Sequence, residues 1–241
     1  MESGLYVAVS GQLAAQRRLD TIAHNIANVN TPGFRAEEIK FDSVISNAAK
    51  EPVAFSSSGN TFISRKTGAM VQTGNPLDLA LSGDAWLAVE TASGTAYTRD
   101  GRLQVSQEGQ LRSINGYPVL DVSGAPIQVG PSDGPITVSA DGMISQKGVR
   151  RGAVGLFALD EKAKLVRFDN SALLSDIPGN PVVTFNSVSV QQGFLEKSNV
   201  NPMLEMTKLI TLTRNFEATS SATDQFQDSL KEAIRKLGTN G

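Results

Sequence analysis

The stretch of sequence that decides the fold is residues 19–34, LDTIAHNIANVNTPGF, where a helical pattern ends in a run of amide side chains. Asparagine tolerates the left-handed backbone conformation, and its side chain caps exposed helix carbonyls. Pro32 and Gly33 then turn the chain. The stretch predicts that a first helix stops here and that the chain leaves it through a tight, asparagine-rich corner.

Both ends of the chain carry a heptad pattern. In the first thirty residues the stripe runs through Leu5, Val9, Gln12, Gln16, Leu19, Ala23, Ile26 and Asn30. Within residues 202–238 it runs through Leu209, Leu212, Phe216, Thr219, Thr223, Phe226, Leu230, Ala233 and Leu237. Stripes this narrow, with Gln and Thr in the middle, are typical of a coiled-coil seam. The alternative is two surface helices packed on one globular body.

A second polar string, residues 192–201 with the sequence QGFLEKSNVN, leads directly into the C-terminal helix. Asn201 is suited to cap this helix, Pro202 suits its first position, and Gly238 ends it. The asparagine-rich corners at the two junctions are either good caps or a means of fixing one subunit's corner onto another's.

Between the helices the sequence predicts β-structure. Leucines alternate with small or polar residues at 77–81, and residues 87–89 and 103–105 alternate more loosely. The turn signals are Asp100-Gly101, Glu108-Gly109, Asn115-Gly116 and Asp141-Gly142. The Asp-Gly and Asn-Gly pairs favour two-residue hairpins, and short strands separated by such turns form an antiparallel barrel or sandwich.

The predicted fold class is α+β, in which N- and C-terminal helices pair as a coiled coil around an inserted antiparallel β-rich domain. The expected boundaries are an N-terminal helix in 1–35, an extended connector in 36–75, the β-rich domain in 76–175, a return connector in 176–200 and a C-terminal helix in 201–241. Pairing the two ends closes a loop over nearly the whole chain, which is entropically unfavourable. We therefore expect a monomeric isolated chain that loses its helical ends to protease while residues 75–175 persist.

The composition excludes several kinds of chemistry. The 241 residues include 22 basic and 24 acidic side chains, so no basic field is present to bind nucleic acid or an anionic membrane. With 0 Cys and 1 His, disulfides, thiolate sites and the usual zinc sites are excluded. No apolar run reaches the roughly 18 residues that span a bilayer. The first residues lack the cationic region of a signal peptide, so we expect no cleaved signal.

No catalytic, cofactor or metal site is predicted. His24 lies in the first helix, where a surface or interface role is favoured over catalysis. Residues 59–67, GNTFISRKT, lack the glycine that a phosphate-binding loop needs before its lysine. Trp86 is better explained by core packing than by sugar binding. The candidate carboxylates are Asp84, Asp100 and Glu108, of which two stand in turns where acidic residues are expected for backbone reasons.

The two terminal strings resemble the signatures of a known family. Residues 25–31, NIANVNT, followed by Gly33-Phe34, are similar to the N-terminal signature of bacterial flagellar basal-body rod and hook proteins. Residues 193–201, followed by Glu205-Met206 and by RNFE at 214–217, are similar to their C-terminal signature.

The middle of the chain carries a third resemblance to the same family. Residues 97–103, YTRDGRL, together with 109–111 and 116–120, are similar to the central β domain of these proteins. The three motifs occur in the expected order. The length does not fit the longer hook protein or the smallest rod proteins, which leaves the two mid-sized rod types. The opening residues 2–8 favour the proximal type over the distal one.

The resemblance implies residues that act in assembly. In the N-terminal motif these are Leu19, Ile22, Asn25, Ile26, Asn28, Asn30, Gly33 and Phe34. In the C-terminal motif they are Gly193, Leu195, Glu196, Ser198, Asn199, Val200, Asn201, Met206, Arg214, Phe216, Glu217, Phe226 and Leu230.

The resemblance also implies a function and its partners. It indicates a structural subunit, not an enzyme, that polymerises into a tube linking the motor to the hook, with the helices inside and the β domain outside. Its partners are other copies of itself, neighbouring rod proteins and, transiently, the type III export apparatus, with no nucleic acid, no membrane insertion and no cofactor. Two other functions stay open: a peptidoglycan-binding module and an enzyme with an unrecognised carboxylate site.

The seam assignment gives a first prediction. Phe226→Asp replaces a large apolar side chain, whose burial is worth about 1.5–3 kcal/mol, by a group that resists desolvation. We expect the variant to be exported, to keep its β domain folded and to be found unassembled outside the cytoplasm. Fractionation followed by immunoblotting of rods measures this, and normal incorporation into rods would contradict the seam.

Overall fold

The computed structural model describes residues 2–41, 43–46, 53–57, 59–131 and 133–238. Within these ranges the helices are α1 (Glu2–Ala27) and α2 (Pro202–Gly238). The strands of the first half are β1 (Glu37–Lys40), β2 (Ser43–Ser46), β3 (Val53–Ser56), β4 (Asn60–Ile63), β5 (Met70–Gln72), β6 (Leu79–Ser82), β7 (Trp86–Thr91), β8 (Gly94–Thr98), β9 (Leu103–Val105) and β10 (Leu111–Ser113). The others are β11 (Ile136–Val138), β12 (Met143–Gln146), β13 (Val149–Ala153), β14 (Leu156–Ala158), β15 (Leu165–Arg167), β16 (Ala172–Ser175), β17 (Asn180–Pro181), β18 (Ser189–Gln192) and β19 (Phe194–Glu196).

The chain divides into two compact units. The helical unit contains Met1–Ala27, Glu37–Phe62 and Asn201–Gly241. The β-rich unit contains Asn28–Ala36 and Ile63–Val200. The asparagine-rich corner after α1 and the string before α2 thus both belong to the β-rich unit. This division differs from the expected boundaries at 35, 75 and 176, because both segments expected as connectors form paired strands.

In the helical unit, α1 and α2 contact each other. On α1, Leu19 and Ile26 are half-buried and Ile22 is buried, whereas Gln16 and Ala23 of the predicted stripe are exposed. The buried stripe is therefore displaced from the predicted one. An α-helix drifts relative to a strict heptad, so a stripe assigned by fixed steps loses its register over several turns.

On α2 the predicted stripe agrees better with the observed burial. Leu209, Leu212, Phe216 and Thr223 are half-buried, and Thr219 is exposed. The side chains of Phe226 and Leu230 lie outside the described residues, as do those of Ala233 and Leu237.

Threonines occupy the stripe of α2 without leaving an unpaired hydroxyl. The Thr219 hydroxyl donates to the carbonyl oxygen of Asn215, and the Thr223 hydroxyl donates to that of Thr219, each at 2.9 Å. Because the partner is the helix's own backbone, such a hydroxyl needs no polar group from a neighbouring helix. Threonine in a half-buried stripe therefore carries little desolvation cost.

The start of α2 follows the sequence prediction. The Asn201 side-chain oxygen accepts a hydrogen bond from the Leu204 amide at 3.1 Å, and the Asn201 carbonyl accepts one from the Glu205 amide at 3.0 Å. Asn201 is therefore the N-cap, Pro202 is the first helical residue, and the helix extends to Gly238. The predictions for Asn201 and Pro202 are confirmed, and the residues after Gly238 lie outside the described ranges.

The β-rich unit is organised by a six-stranded antiparallel sheet in the order β15-β16-β8-β7-β14-β17. Strand β7 is buried on both faces, because Leu87 and Val89 belong to one apolar cluster while Trp86 and Ala88 belong to another. Successive residues of a strand point to opposite faces, so a strand covered on both sides shows no clean alternation. This explains the loose pattern at 87–89.

The segments before and after the sheet are also paired. Strand β18 pairs with β6, and β19 pairs with β5, both antiparallel. Strands β11, β12 and β13 form a three-stranded sheet, and β9 pairs with β10. The stretch from 176 to 200 is consequently part of the β-rich unit's sheets and not only a return path.

The predicted turns are in the right places, and three of them form three-residue hairpins. At Gly109, Gly116 and Gly142 the glycine amide donates to the carbonyl three residues earlier, and φ is +80°, +86° and +81°. This is the three-residue hairpin in which glycine adopts the left-handed conformation after a type I turn. Asp100-Gly101 is not a hairpin turn, because β8 and β9 lie in different sheets.

The unit boundaries predict a protease-resistant fragment larger than residues 75–175. We expect cleavage within α1, in 37–62 and in α2, and protection through Val200, because β18 and β19 are paired to β6 and β5. Mass spectrometry of a limited-proteolysis time course identifies the fragments. Residues 28–36 should co-purify with the protected fragment even after cleavage in 37–62. Early release of 188–200 would contradict this division.

Candidate functional site: the junction of the terminal motifs

Both terminal motifs meet inside the β-rich unit at one buried carboxylate. We call this cluster the terminal-motif junction and define it by Phe34, Arg35, Arg99, Glu196 and Asn199. Arg35 follows directly on the N-terminal motif, Arg99 is the first residue after β8, and Glu196 ends β19. Three segments that are distant in the sequence thus each contribute a charged side chain to one buried cluster.

Glu196 binds both arginines. Its Oε1 lies 2.8 Å from Nη2 of Arg35, and its Oε2 lies 2.7 Å from both Nε and Nη2 of Arg99. Oε1 also accepts the Gly68 amide at 2.8 Å. The side chains of Arg99 and Glu196 are each only 1% exposed. Every acceptor position of the carboxylate is therefore directed at a donor of the protein itself.

Arg99 also orders the connection between β6 and β7. Its Nη2 donates to the Leu81 carbonyl at 2.8 Å, and its Nη1 donates to the Gly83 carbonyl at 2.9 Å and to the Ala85 carbonyl. A guanidinium presents several donors in one plane, which lets a single side chain hold a carboxylate and a turn at the same time.

The polar contacts of Arg35 compensate for its burial less fully than those of Arg99 do. Burial lowers the pKa of Arg35 to about 10, partly opposed by the attraction of Glu196. This value is well above neutrality, so the guanidinium is charged at pH 7 and the ion pair is intact. The guanidinium carbons of Arg35 and Arg99 lie 5.5 Å and 5.9 Å from the ring centre of Trp86. The indole therefore adds cation–π attraction to the junction.

Asn199 joins the N-terminal motif to the segment before β5. Its side-chain oxygen accepts the Ala36 amide at 2.6 Å, and its side-chain nitrogen donates to the Lys66 carbonyl at 2.8 Å. The carbonyl of Glu196 accepts the Gly33 amide at 2.8 Å. Main-chain and side-chain bonds thus fix the N-terminal motif along the C-terminal one.

Phe34 and Gly33 complete the junction by close packing. Phe34 is fully buried, and the guanidinium carbon of Arg167 lies 4.2 Å from its ring centre. Gly33 has φ of +68°, and a Cβ built there would lie 2.2 Å from the Asp100 nitrogen. Only glycine fits this position, because it combines a left-handed backbone with a main chain in direct contact.

The other predicted residues of the N-terminal motif have different surroundings. Asn25, in the helical unit, is buried and pairs with the Glu37 main chain in both directions at 2.9 Å. Asn28 is buried, and its side-chain oxygen accepts the Thr31 hydroxyl at 3.1 Å. Asn30 is exposed.

The predicted C-terminal residues separate into inward and outward groups. Gly193 has φ of +78°, and its carbonyl accepts the Thr73 amide at 2.8 Å. Leu195 and Ser198 are half-buried and Val200 is buried, whereas Met206, Arg214 and Glu217 are exposed on α2. Met206 of the outward group is 49% exposed. The structure thus brings part of the predicted set together and leaves another part on the surface.

Sequence reasoning missed the two arginines. Arg99 lies within the string 97–103 and Arg35 directly follows Phe34, but neither was selected. The charge of Arg35 and Arg99 did not single them out, because charged residues such as Asp100, Arg102 and Lys197 also stand in these motifs. Sequence distance concealed the pairing.

The described part of the chain has no group of side chains typical of a metal site. No group of three or more His, Asp or Glu side chains in it is placed to hold a metal ion. Asp100, one of the candidate carboxylates, is buried and forms an ion pair with Arg102 at 2.6 Å. Among the described residues no helix is long and apolar enough to cross a membrane.

The architecture is that of a structural protein with long terminal helices and a β-rich unit formed around its terminal motifs. Three family models match the chain in the same order as these parts. "Flagella basal body rod protein" matches residues 5–35, "Flagellar hook protein FlgE/F/G D1 domain" matches 80–146, and "Flagellar basal body rod FlgEFG protein C-terminal" matches 191–236.

Relatives match over the full length. The flagellar basal-body rod protein FlgF of Mesorhizobium japonicum is 47% identical over 99% of both chains, and FlgF of Rhizobium meliloti is 47% identical with the same coverage. FlgG of Bacillus subtilis is 28% identical over 97% of this chain and 98% of its own. The chain belongs to the flagellar basal-body rod protein family, as its motifs indicated.

The crowding at Gly33 yields a prediction with an internal control. Gly33→Ala places a methyl group against the Asp100 main chain and strains a positive φ, whereas Gly116→Ala has φ of +86° and meets nothing within 4 Å. We expect Gly116→Ala to cost only the backbone strain of about 1 kcal/mol, and Gly33→Ala to cost at least about 2 kcal/mol more. Denaturant unfolding followed by Trp86 fluorescence measures both. Equal losses would show that the junction relaxes around the methyl group.

Proposed function

We propose that this chain is a structural subunit of the flagellar basal-body rod that polymerises into a helical tube and transmits torque from motor to hook. The family and its full-length relatives support a structural role over a catalytic one. The observation that carries the proposal is that α2 presents apolar side chains on a face turned away from its buried stripe.

The outward face of α2 is a stripe of its own. Met203, Met206 and Ile210 are 72%, 49% and 54% exposed, and their spacing of three and four places them on one side of the helix. Arg214 and Glu217 continue the same side and are exposed as well. Apolar side chains aligned in this way are typical of an interaction surface, whereas scattered ones need no explanation.

The inward face of α2 supports pairing with α1. Leu209, Leu212 and Phe216 are half-buried, and the two helices are in contact. We propose that they form a short coiled coil in the assembled rod, with the side chains of Phe226 and Leu230 continuing its seam. The same helix would then use one face within the subunit and the other between subunits.

The proposed partners follow from this division. Other copies of the chain and neighbouring rod proteins would pack on the outward stripe, with Met206, Arg214 and Glu217 among the contacting residues. A contact between two different faces, repeated about an axis without closing, generates a helical filament. In this arrangement the helices would form the inner layer of the tube and the β-rich unit its outer layer.

We further propose that the subunit reaches the periplasm-spanning rod through the flagellar export apparatus, without a cleaved signal peptide. The complete absence of cysteine is compatible with passage of an open chain through a narrow channel, because no disulfide obstructs it. Among rod subunits the FlgF type, the proximal rod protein, is our proposal, since FlgF relatives reach 47% identity. The FlgG type is the alternative.

A substitution on the outward stripe tests the proposed function. Ile210→Asp places a charge on a side chain that is 54% exposed, so the stability of the free chain should change by less than about 0.5 kcal/mol. Burial of that charge at a subunit contact would be costly, so we expect loss of motility and of rod incorporation.

Val149→Asp is the matched control. Val149 is 55% exposed and lies on β13 in the β-rich unit, away from the helices in sequence. It should leave swimming and rod incorporation unchanged. If Ile210→Asp cells swim and build rods normally, the outward stripe is not a subunit contact.

A further inference from the structure

The contacts of the terminal-motif junction span very long stretches of chain. Glu196 reaches Arg99 across 97 residues and the Gly68 amide across 128, and Asn199 reaches the Ala36 amide across 163. Closing a loop of such length costs conformational entropy that only the contacts formed on closure offset. These contacts therefore have to form together, because each alone is too weak to hold the loop.

Glu196 supplies the negative charge that balances Arg35 and Arg99 in the junction. The other acceptors of Arg35 and Arg99 are main-chain carbonyl oxygens, which carry no net charge. Asp84 also attracts Arg35, but its side chain is exposed and its effect on the pKa of Arg35 is smaller than that of Glu196. Within the described ranges neither arginine has another carboxylate as an ion-pair partner.

The two arginines oppose each other's burial. Proximity of Arg99 acts to lower the pKa of Arg35, as expected for like charges in a dry environment. A partly closed β-rich unit without Glu196 would therefore bury two mutually repelling cations against Trp86 with only neutral acceptors. Burying unpaired charge is among the most unfavourable steps available to a folding chain.

We propose that the docking of Glu196 is the step that closes the β-rich unit, so that the unit stays open until the C-terminal motif arrives. The carboxylate enters with β18 and β19, which pair with β6 and β5 and lie at the end of the unit in sequence. In a chain of which only residues 28–187 are available for folding, Arg35 and Arg99 stay hydrated. Closure of the β-rich unit then depends on the last segment of that unit, which carries Glu196.

The dependence of closure on Glu196 has a consequence for export, and this consequence rests on the proposed function. A subunit that travels unfolded must not become compact before most of its sequence has passed the channel. Dependence on residue 196 of 241 delays closure of the β-rich unit accordingly. The closure step itself does not depend on this role and is tested without it.

The chain contains its own reporter for the test. Its single tryptophan, Trp86, is 1% exposed and lies beside both guanidiniums. Stopped-flow refolding and unfolding of the full chain, followed by Trp86 fluorescence, therefore report closure of the junction. The test variant is Glu196→Gln, and the matched control is Glu90→Gln, at an exposed position of β7 in the same unit.

If docking of Glu196 is the closing step, its loss acts on the barrier to folding. We expect Glu196→Gln to refold at least about a hundredfold more slowly, with an unfolding rate within about twofold of the wild type. Glu90→Gln should leave both rates unchanged. An unaltered refolding rate combined with faster unfolding would mean that Glu196 docks after the barrier, which overturns the proposal.

A second variant decides the matter if Glu196→Gln shows no folding transition. Glu196→Asp keeps the charge but shortens the reach, so we expect refolding to be slowed severalfold with unfolding nearly unchanged. Refolding of Glu196→Asp at the wild-type rate would overturn the proposal. Failure of the rod assignment would appear instead as normal swimming of Ile210→Asp cells, which leaves these rates unaffected.

Discussion

One carboxylate held between two guanidiniums organises this protein. Glu196 joins Arg35 beside the N-terminal motif to Arg99 of the central strand region, with oxygen–nitrogen distances of 2.7–2.8 Å. Removing one member of a buried ionic group typically costs about 3–5 kcal/mol, because the remaining charge has no partner. A domain's total stability is only about 5–15 kcal/mol, so the junction is a large fraction of it. The glycine at 33 and the amide of Asn199 position the same segments.

This interaction explains why the compact β-rich unit is discontinuous. A cut at residue 175 would remove β18 and β19 and with them the carboxylate that Arg35 and Arg99 require. A start at residue 75 would remove Phe34, which is fully buried, together with β5, which pairs with β19. The β-rich unit therefore extends far enough to include Glu196 and both of its arginine partners. Hydrophobic periodicity alone does not show this boundary.

Sequence reasoning was most successful where the deciding physics is local. The cap at Asn201, the start at Pro202 and the positions of the glycine turns depend on a few neighbouring residues, and the structure confirms them. It failed where the outcome depends on distant partners. The pairing of Arg35 with Glu196 and that of β5 with β19 are contacts between remote segments, and one sequence contains no signal for such a pairing. The type of the turns at Gly116 and Gly142 was missed because flanking strand register, not the turn residues alone, selects the hairpin length.

The polar and apolar residues of α2 are distributed over two different faces, an inward stripe and an outward stripe. Near its inward stripe, the hydroxyl of Thr213 donates to the helix's own carbonyl, so this stripe can be covered by an apolar partner without leaving a donor unpaired. Its outward stripe keeps Met203, Met206 and Ile210 in solvent, an arrangement that a monomer has no reason to favour. Methionine adapts its shape to irregular surfaces, which suits the subunit contacts that we propose for this face. Because the junction in the β-rich unit is complete without these side chains, the outward stripe is free to follow the requirements of assembly while the fold is maintained by Glu196 and its two arginines.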